Sequence, residues 1–351
     1  MLLANTTANN KNDKPSLKKT ILTVGKFILF LGIGILLIWL VVKNLSEKDK
    51  TEIFTSLKEA NYWWIVLAMG TGILAHISRA MRWKMLLEPL DFKPKTSTTF
   101  YAVMIGYLGN LALPRLGEVL RCGILKRYEK IPFTQSFGTV ITERLIDTLT
   151  LLILFITSVW IEYERMHTYI SDNIISPLMK KLQAVADNKL MLFGLIGAAV
   201  LFFILLFILR KKIFQNPVAH KIRALLVSFL DGIKTISKVK RPFLFIFHSV
   251  FIWIMYLMSV YVCVFAFKET STMTLTDCLA IMCFGSLGVI ATPGGIGAYQ
   301  WIVLQILLFW GYSTAMGVAF GWMAWLAQTV VVLVIGPISF GLLALNNKER
   351  Q

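Results

Sequence analysis

The chain has 351 residues, of which 56% are hydrophobic and 16% are charged, and its formal net charge is +17. Its apolar runs are too long for the core helices of a soluble protein of this size, so the composition excludes a soluble globular domain and indicates a membrane protein. The basic residues lie between the apolar runs rather than on one face. This distribution argues against a nucleic-acid partner and indicates that the charges set topology and attract lipid surfaces.

Six apolar runs are long enough to span a bilayer. A backbone in hydrocarbon must satisfy its own hydrogen bonds, so runs of about 17 to 25 apolar residues without two-residue alternation predict helices. In chain order the predicted spans are residues 20–42, 62–78, 145–161, 190–209, 243–267 and 315–345. The first run is longer than a signal-peptide core and lacks a small-residue cleavage site, so we expect it to be retained.

The positions of Lys and Arg predict how these spans are oriented. Cytoplasmic connections are rich in Lys and Arg, and the basic segments here precede the first span and follow the second and fourth. The last of these, residues 210–241, contains one acidic residue, Asp231. We therefore expect a cytoplasmic tail at 1–19, a single transmembrane domain at 20–345 and a cytoplasmic tail at 346–351, in a bacterial-type plasma (inner) membrane.

Two further apolar stretches, residues 100–114 and 279–293, are interrupted by Gly and Pro and are too short to span comfortably. Basic residues flank the first stretch on both sides, so we expect it to enter the membrane from the cytoplasm and return, and by parity the second enters from outside. The sequence thus predicts an all-α polytopic membrane protein with about six transmembrane helices and two re-entrant helical hairpins, at about 100–128 and about 279–310.

The two short stretches resemble each other. Residues 108–114 read LGNLALP and residues 287–293 read LGVIATP, which share the pattern LGxxAxP. Three predicted spans separate the copies, so the second would be inverted relative to the first, and paired broken helices of this kind point to a polar cavity and a binding site at the membrane midplane. The alternative is that these small residues only permit close helix packing.

The first stretch carries charged candidate residues for substrate binding. Asn110 precedes the proline, and Arg115, Glu118 and Arg121 follow it at three-residue spacing, which predicts one face of a helix. Arg suits phosphate because it can donate two parallel hydrogen bonds, and Glu118 would orient an Arg or meet a headgroup amine. The alternative is an interfacial helix stabilised by ion pairs.

A second set of candidates, Glu143, Arg144 and Asp147, lies at the start of the third predicted span. A carboxylate in the bilayer costs at least about 2.5 to 3.5 kcal/mol on insertion scales, so Asp147 should face protein or water beside a partner. Arg144 is the nearest predicted partner, and Arg115 or Arg121 are the distant ones. The alternative is a structural salt bridge between helices.

The second stretch has the glycines of an anion-binding turn but none of these charges. Its candidate residues are Thr292, Gly294, Gly295 and Gly297, and they match neither a P-loop nor a dinucleotide fingerprint. We expect flexible backbone that lines a pathway.

The chain contains no recognisable metal-binding or catalytic pattern. Its four cysteines form no CxxC pair and are expected to be packing residues. The four histidines are scattered, so we assign them no function and expect neither a metal nor a cofactor; they are His76, His167, His220 and His248.

Three ordered segments resemble a known family. They are LPRLGEVLR at 113–121, ERLIDTLTLL at 143–152 and ATPGGIGAYQ at 291–300, and they are similar to hallmark segments of the flippase-like family typified by the transmembrane domain of bacterial lysylphosphatidylglycerol synthases. In two-part members of that family a soluble aminoacyl-transferase domain follows the membrane domain, which translocates the aminoacylated lipid. We expect a stand-alone member without the synthase domain.

The resemblance implies a stand-alone lipid translocator or an accessory membrane protein and does not identify the lipid. Our preferred hypothesis is a non-enzymatic translocator that moves an anionic or zwitterionic phospholipid, or a polyprenyl-linked lipid, between leaflets, with a separately encoded synthase as a partner. In this hypothesis Arg115 and Arg121 contact phosphate, Glu118, Glu143 and Asp147 set the charge balance, and residues 292–297 form the opposite gate.

Two other functions stay open at this point. Some relatives are linked to polyprenyl-sugar metabolism, so the second hypothesis is a membrane transferase with Glu118 or Asp147 as general base. The third is an accessory subunit for an envelope enzyme.

Overall fold

The computed structural model describes residues 17–113, 115–170, 176 and 239–348, and every regular element in these ranges is a helix. In chain order the α-helices of the described residues are α1 (Leu17–Lys43), α2 (Glu47–Glu59), α3 (Tyr62–Leu87), α4 (Thr96–Ala112), α5 (Leu116–Tyr128), α6 (Phe133–Ile161), α7 (Tyr163–Ile170), α8 (Pro242–Cys263), α9 (Leu275–Ala291), α10 (Ala298–Phe309) and α11 (Thr314–Lys348). The predicted all-helical class is confirmed.

Four helical segments in the described ranges are long and apolar enough to cross a membrane: Tyr62–Leu90, Phe133–Ile161, Pro242–Ala266 and Thr314–Leu345. A fifth span can be counted if Ile28–Lys43 and Glu47–Glu59, which are bent by 109° at their break, form one crossing. The predicted span at 190–209 lies outside the described residues, so the count of six stays a prediction. The protein is a multi-pass helical membrane protein.

Two of the predicted spans are only the apolar parts of longer helices. The helix α3 continues beyond residue 78 to Leu87, and α6 begins at Phe133 rather than at residue 145. The added turns contain Arg and Glu side chains, which a hydropathy criterion places outside a span. Several of these side chains are buried, so the helices continue through the charges that seemed to end them.

Two helical hairpins are formed by α4 with α5 and by α9 with α10. Each begins one turn before its predicted start, at Thr96 and at Leu275, because its opening turn is polar and hydropathy does not detect it. In the second hairpin Thr274 and Asp277 form a capping box. In the first, the backbone N–H of Lys95 donates to Glu129 Oε1 at 3.3 Å, so the chain enters and leaves this hairpin at the same end.

Both hairpins break at equivalent residues. The helices α4 and α9 end at the alanine of the LGxxAxP pattern in each copy. The next residues, Leu113 and Thr292, are both extended, with φ/ψ of −143°/129° and −129°/155°. Their N–H groups donate to the carbonyls of Gly109 and Gly288, which are the glycines of the same pattern. The sequence repeat is therefore a repeat of local structure.

Glycines let the two arms of each hairpin approach closely. A Cβ atom on Gly106 would lie 2.6 Å from the Arg121 side chain, and one on Gly285 would lie 2.6 Å from the ring of Tyr299. Gly106 and Gly285 again occupy equivalent positions, each just before its copy of the pattern. This is the close packing that the alternative interpretation of these residues predicts.

The tips of the two hairpins lie against each other. A Cβ atom on Gly294 would lie 2.5 Å from the Leu111 side chain, and Trp325 Nε1 of α11 donates to the Gly294 carbonyl at 2.7 Å. The helix α1 reaches the second tip at its own Gly34, whose carbonyl oxygen would clash with a Cβ atom on Gly297. Backbone therefore meets backbone where α1 joins this tip.

The helix α6 contacts both hairpins. Near its C-terminal end Phe155 packs on Phe284 of α9, with ring centroids 4.8 Å apart. Just beyond it, Arg165 of α7 donates to Asp277 of α9 at 2.8 Å. The first hairpin is joined to the N-terminal half of α6 by Arg121, described below, so α6 connects the two hairpins.

Gly117→Ala should destabilise the protein, because the added Cβ atom would clash with the carbonyl oxygen of Gly106. Overpacking of this kind costs about 1–3 kcal/mol. Gly123→Ala is the matched control on the same helix, where a Cβ atom meets nothing within 4 Å and Ala favours the helix by roughly 0.5–1 kcal/mol. Thermal unfolding in detergent, followed by tryptophan fluorescence, should show a lower Tm for the first variant only. Equal shifts would contradict the packing described here.

Candidate functional site

Five charged side chains meet between three helices. Arg79 and Arg82 come from α3, Arg121 from α5, and Glu143 and Asp147 from α6. None of these side chains is more than 11% exposed. We call these five residues the arginine cluster.

The cluster is built on matching helical spacings. Arg79 and Arg82 are three residues apart and Glu143 and Asp147 are four residues apart, so each pair occupies one face of its helix. Arg79 Nη1 donates to Glu143 Oε1 at 2.8 Å and to Asp147 Oδ2 at 2.5 Å. Arg82 Nη2 donates to Asp147 Oδ1 at 2.6 Å and lies 3.7 Å from Glu143 Oε1. These bonds hold α3 against α6.

Arg121 joins the first hairpin to this pair of helices. Its Nη2 donates to Glu143 Oε2 at 2.7 Å, and its guanidinium carbon lies 4.1 Å from the centre of the Trp83 ring. Trp83 is fixed in turn by a 3.0 Å hydrogen bond from its Nε1 to Thr139 Oγ1. A planar guanidinium stacked on an aromatic ring is a position where Lys cannot replace Arg equivalently.

The cluster carries more positive than negative charge. It contains three arginines, which stay protonated, and two carboxylates, so its formal charge is +1 with the carboxylates ionised. The Nε–H groups of Arg79, Arg82 and Arg121 are buried and have no hydrogen-bond partner among the described residues. Buried donors without partners are costly, so the site is suited to accept a further anionic group.

The remaining predicted residues of the first hairpin lie in different surroundings. Asn110 Oδ1 accepts a 2.8 Å hydrogen bond from the Gly117 N–H and so closes the hairpin tip. Arg115 precedes α5 with a left-handed backbone, φ 66°, is exposed and has no ion pair within the described ranges. The predicted common face of Arg115, Glu118 and Arg121 is therefore wrong, because Arg115 lies outside the helix.

Glu118 and Arg144 form a second contact between α5 and α6. Arg144 Nε lies 3.4 Å from Glu118 Oε1, and Glu118 Oε2 is buried without a hydrogen-bond partner in the described part of the chain. The expectation that Arg144 is the nearest partner of Asp147 is wrong, because Arg144 turns toward α5. Ion pairs between helices, which the structural alternative predicts, are present.

Arg79 and Arg82 are the members of the cluster that sequence reasoning missed. Counting basic residues assigns both to a cytoplasmic connection, because they follow the apolar part of α3. A signal was available, since two arginines three residues apart match two carboxylates four residues apart elsewhere in the chain. Pairing oppositely charged helix faces would have found them.

The glycine-rich segment of the second hairpin shapes that hairpin's tip. Gly294, Gly295 and Gly297 have φ of 61°, 79° and 78°, which glycine adopts without strain. Thr292 Oγ1 donates to the Ile296 carbonyl at 3.0 Å. The arginine cluster takes its five side chains from α3, α5 and α6, so this segment contributes none of them.

A cavity of about 710 Å³ lies at the other end of α3, where Glu47, Glu52 and Glu59 of α2 meet Lys268 and Glu269 after α8. Arg79 is far from this cavity, since most of the length of α3 separates Arg79 from the end of the helix that the cavity adjoins. The predicted polar cavity between the hairpins stays a prediction. No group of three or more His, Cys, Asp or Glu residues within the described ranges is placed to hold a metal ion.

Glu143→Gln should destabilise the protein strongly, because it leaves buried arginines without their shared carboxylate. Breaking a buried ion pair costs about 3–5 kcal/mol. Combining it with Arg121→Gln should cost less than the sum of the two single changes. The control is Glu47→Gln, whose partner Lys50 is 49% exposed and whose loss should cost about 0–1 kcal/mol. Strictly additive losses in unfolding experiments would show that the pair is not coupled.

The sequence matches a known family over most of its length. A family model described as the lysylphosphatidylglycerol synthase TM region matches residues 27–336. This range includes all five residues of the arginine cluster and both hairpins. No solved structure matches the chain.

Two curated relatives share part of the sequence. The UPF0104 membrane protein MJ1595 of Methanocaldococcus jannaschii is 28% identical over 134 residues, which is 37% of this chain and 37% of the relative. The glycosyltransferase AglD of Haloferax volcanii is 27% identical over 104 residues, which is 29% of this chain and 17% of the relative. The matched stretches thus cover well under two thirds of either relative. By the family match, this membrane protein belongs to the lysylphosphatidylglycerol synthase TM region family.

Proposed function

We propose that this protein moves a phosphate-bearing membrane lipid between leaflets and that the arginine cluster receives the phosphate. The observation that carries the proposal is the excess positive charge of a buried site, with three guanidinium Nε–H groups that have no partner among the described residues. An isolated buried charge is costly, and a phosphodiester carries one negative charge. Binding one would bring the formal charge of the cluster to zero.

The type of donor supports phosphate as the ligand. Guanidinium groups bind phosphate oxygens through two parallel charge-assisted hydrogen bonds, which are about twice as strong as neutral ones. Arg79, Arg82 and Arg121 come from α3 and α5, so a bound phosphate would bridge the first hairpin and the helix bundle. A headgroup amine could then meet Glu118, whose Oε2 lacks a partner in the described structure.

The first hairpin supplies a path toward this site. Arg115 lies exposed at its tip and Arg121 lies in the cluster, six residues further along and roughly 9 Å along the helix axis. We propose that both hairpins are re-entrant, in an inverted repeat, and that their contact at Leu111 and Gly294 is the gate between leaflets. The equivalent break positions and capping bonds of the two hairpins support a repeat.

A transferase is the second candidate, because one relative is named a glycosyltransferase and because Glu118 Oε2, which has no hydrogen-bond partner among the described residues, could accept a proton. Asp147 is less suited to that role, since two arginines already bond its carboxylate. The two candidates differ in their product. A transferase would make a new lipid species in reconstituted membranes, whereas a translocator changes only the sidedness of existing lipid.

Arg121→Gln should slow translocation of fluorescent phosphatidylglycerol in proteoliposomes by at least about tenfold, because a hydrogen bond to a charged group is worth about 1.5–3 kcal/mol. Dithionite quenching of the outer leaflet gives the rate. The matched control is Arg127→Gln, which alters an exposed arginine of the same helix and should keep the wild-type rate.

The double variant Arg121→Gln with Glu143→Gln tests the charge balance itself. It restores the formal charge of +1 and should recover part of the rate lost in Arg121→Gln. Wild-type rates in both the single and the double variant would show that the cluster is not the transport site.

Cysteine labelling should place both ends of each hairpin on one side of the membrane. The chain's four cysteines are buried, so new cysteines can be detected with an impermeant maleimide. We expect Lys95→Cys and Lys126→Cys to react from the cytoplasmic side, and Lys268→Cys and Ser313→Cys from the outside. Labelling of the two members of a pair from opposite sides would mean that the segment between them makes one net crossing of the membrane, which would contradict a re-entrant hairpin.

A further inference from the structure

His76 lies deep in the helix bundle beside the arginine cluster. Its side chain is on α3 and the residue is 3% exposed. Its ring centroid lies 4.6 Å from that of Tyr107 on α4 and 6.3 Å from that of Tyr256 on α8. The Nδ1 atom is buried and has no hydrogen-bond partner in the described part of the protein.

The imidazole and the Arg79 guanidinium share the same two aromatic rings. The guanidinium carbon of Arg79 lies 5.9 Å from the Tyr107 ring centre and 6.0 Å from that of Tyr256. His76 and Arg79 are three residues apart on α3, which makes them neighbours on one helix face. A proton on His76 would therefore sit next to the excess positive charge of the cluster.

Two tyrosines lie beside His76, and polar groups of two further helices contact its neighbours on α3. Tyr107 and Tyr256 face it from α4 and α8, and their hydroxyl oxygens lie 3.4 Å apart. From α6, Asp147 is held by Arg79 rather than by the imidazole. From α11, Gln328 packs against Gly72, one turn before His76. No carboxylate among the described residues bonds the imidazole directly.

We infer that His76 takes up a proton when an anionic headgroup binds to the arginine cluster, so that lipid binding and proton binding are linked. This inference rests on the proposed function. Without a ligand, the neighbouring excess charge and the burial oppose an imidazolium ion. A bound phosphate cancels that charge and removes its repulsion of an imidazolium ion, so the ring holds a proton more readily when the headgroup is bound.

Among the described residues, His248 is the other buried histidine beside the cluster, and its geometry differs. Its Nδ1 atom shares a 2.8 Å hydrogen bond with Ser78 Oγ. The neighbouring Ser249 lies 3.4 Å from Arg82 Nη1 through its hydroxyl. The Nδ1 atom of His76 has no such partner in the described structure and is free to accept a proton.

The linkage would couple lipid movement to the proton gradient. A headgroup that enters with a proton on the more acidic side of the membrane would be released where the proton leaves. A difference in pH across the membrane would then favour one direction of transport without a nucleotide.

The first test measures the affinity of the detergent-solubilised wild-type protein for phosphatidylglycerol in mixed micelles between pH 7 and pH 5. Because a proton is taken up on binding, affinity should rise as pH falls, by about tenfold per pH unit at most for one proton. A pH indicator in weak buffer should record up to one proton taken up per lipid bound. This measurement requires no variant to fold.

The second test assigns the proton. His76→Gln and His76→Asn should bind phosphatidylglycerol at pH 7 as the wild type does and should take up no proton at pH 5, whereas His167→Gln, which alters an exposed histidine, should behave as the wild type. Uptake that persists in the His76 variants and is lost in His248→Gln overturns the assignment. Wild-type binding without proton uptake overturns this inference alone. Absence of wild-type binding overturns the proposed function for this lipid and the inference with it.

Discussion

The ion pairs between α3 and α6 determine where the rest of the described bundle can lie. Arg79 and Arg82 share the carboxylates of Glu143 and Asp147 at distances of 2.5 to 3.7 Å. Removing these charges from water costs several kcal/mol per ion unless partners and hydrogen bonds compensate. The two helices are therefore held in one register, and the first hairpin joins them where Arg121 reaches Glu143. The charges of the cluster are paired only when all three helices are in place. A change in the arrangement of these helices would therefore also break ion pairs of the cluster.

The hairpins meet this bundle through glycine rather than through charge. Gly106 and Gly285 let the return arms approach, and the extended residues that follow α4 and α9 donate to the same relative carbonyl in both copies. Close backbone contact leaves little room for side-chain adjustment. The charged cluster and the glycine contacts thus fix different parts of the first hairpin: Arg121 anchors one arm, and the tip rests on Gly294 of the second hairpin.

Sequence patterns predicted those features whose energetic cost can be recognised from neighbouring residues in the sequence. Proline and glycine in an apolar run marked the two breaks, and a carboxylate inside a span drew attention to Asp147 because its burial is expensive. Arg79 and Arg82 were missed because an arginine at the end of an apolar run has the same local sequence whether it meets water or a carboxylate on another helix. Only the pairing between α3 and α6, which are far apart in the sequence, distinguishes the two cases. The turn of Arg115 out of α5 depends likewise on a left-handed backbone that residue spacing does not reveal.

The helix α6 has contacts of different kinds at its two ends. Its N-terminal half bonds Arg121 of the first hairpin, and its C-terminal end packs on α9 of the second through Phe155 and Phe284. A helix of 29 residues is stiff over this length, roughly 44 Å at 1.5 Å per residue. Its contacts with the two hairpins, at Glu143 and Phe155, are 12 residues or roughly 18 Å apart along one stiff element. The position of each hairpin is therefore tied to that of the other through a single helix.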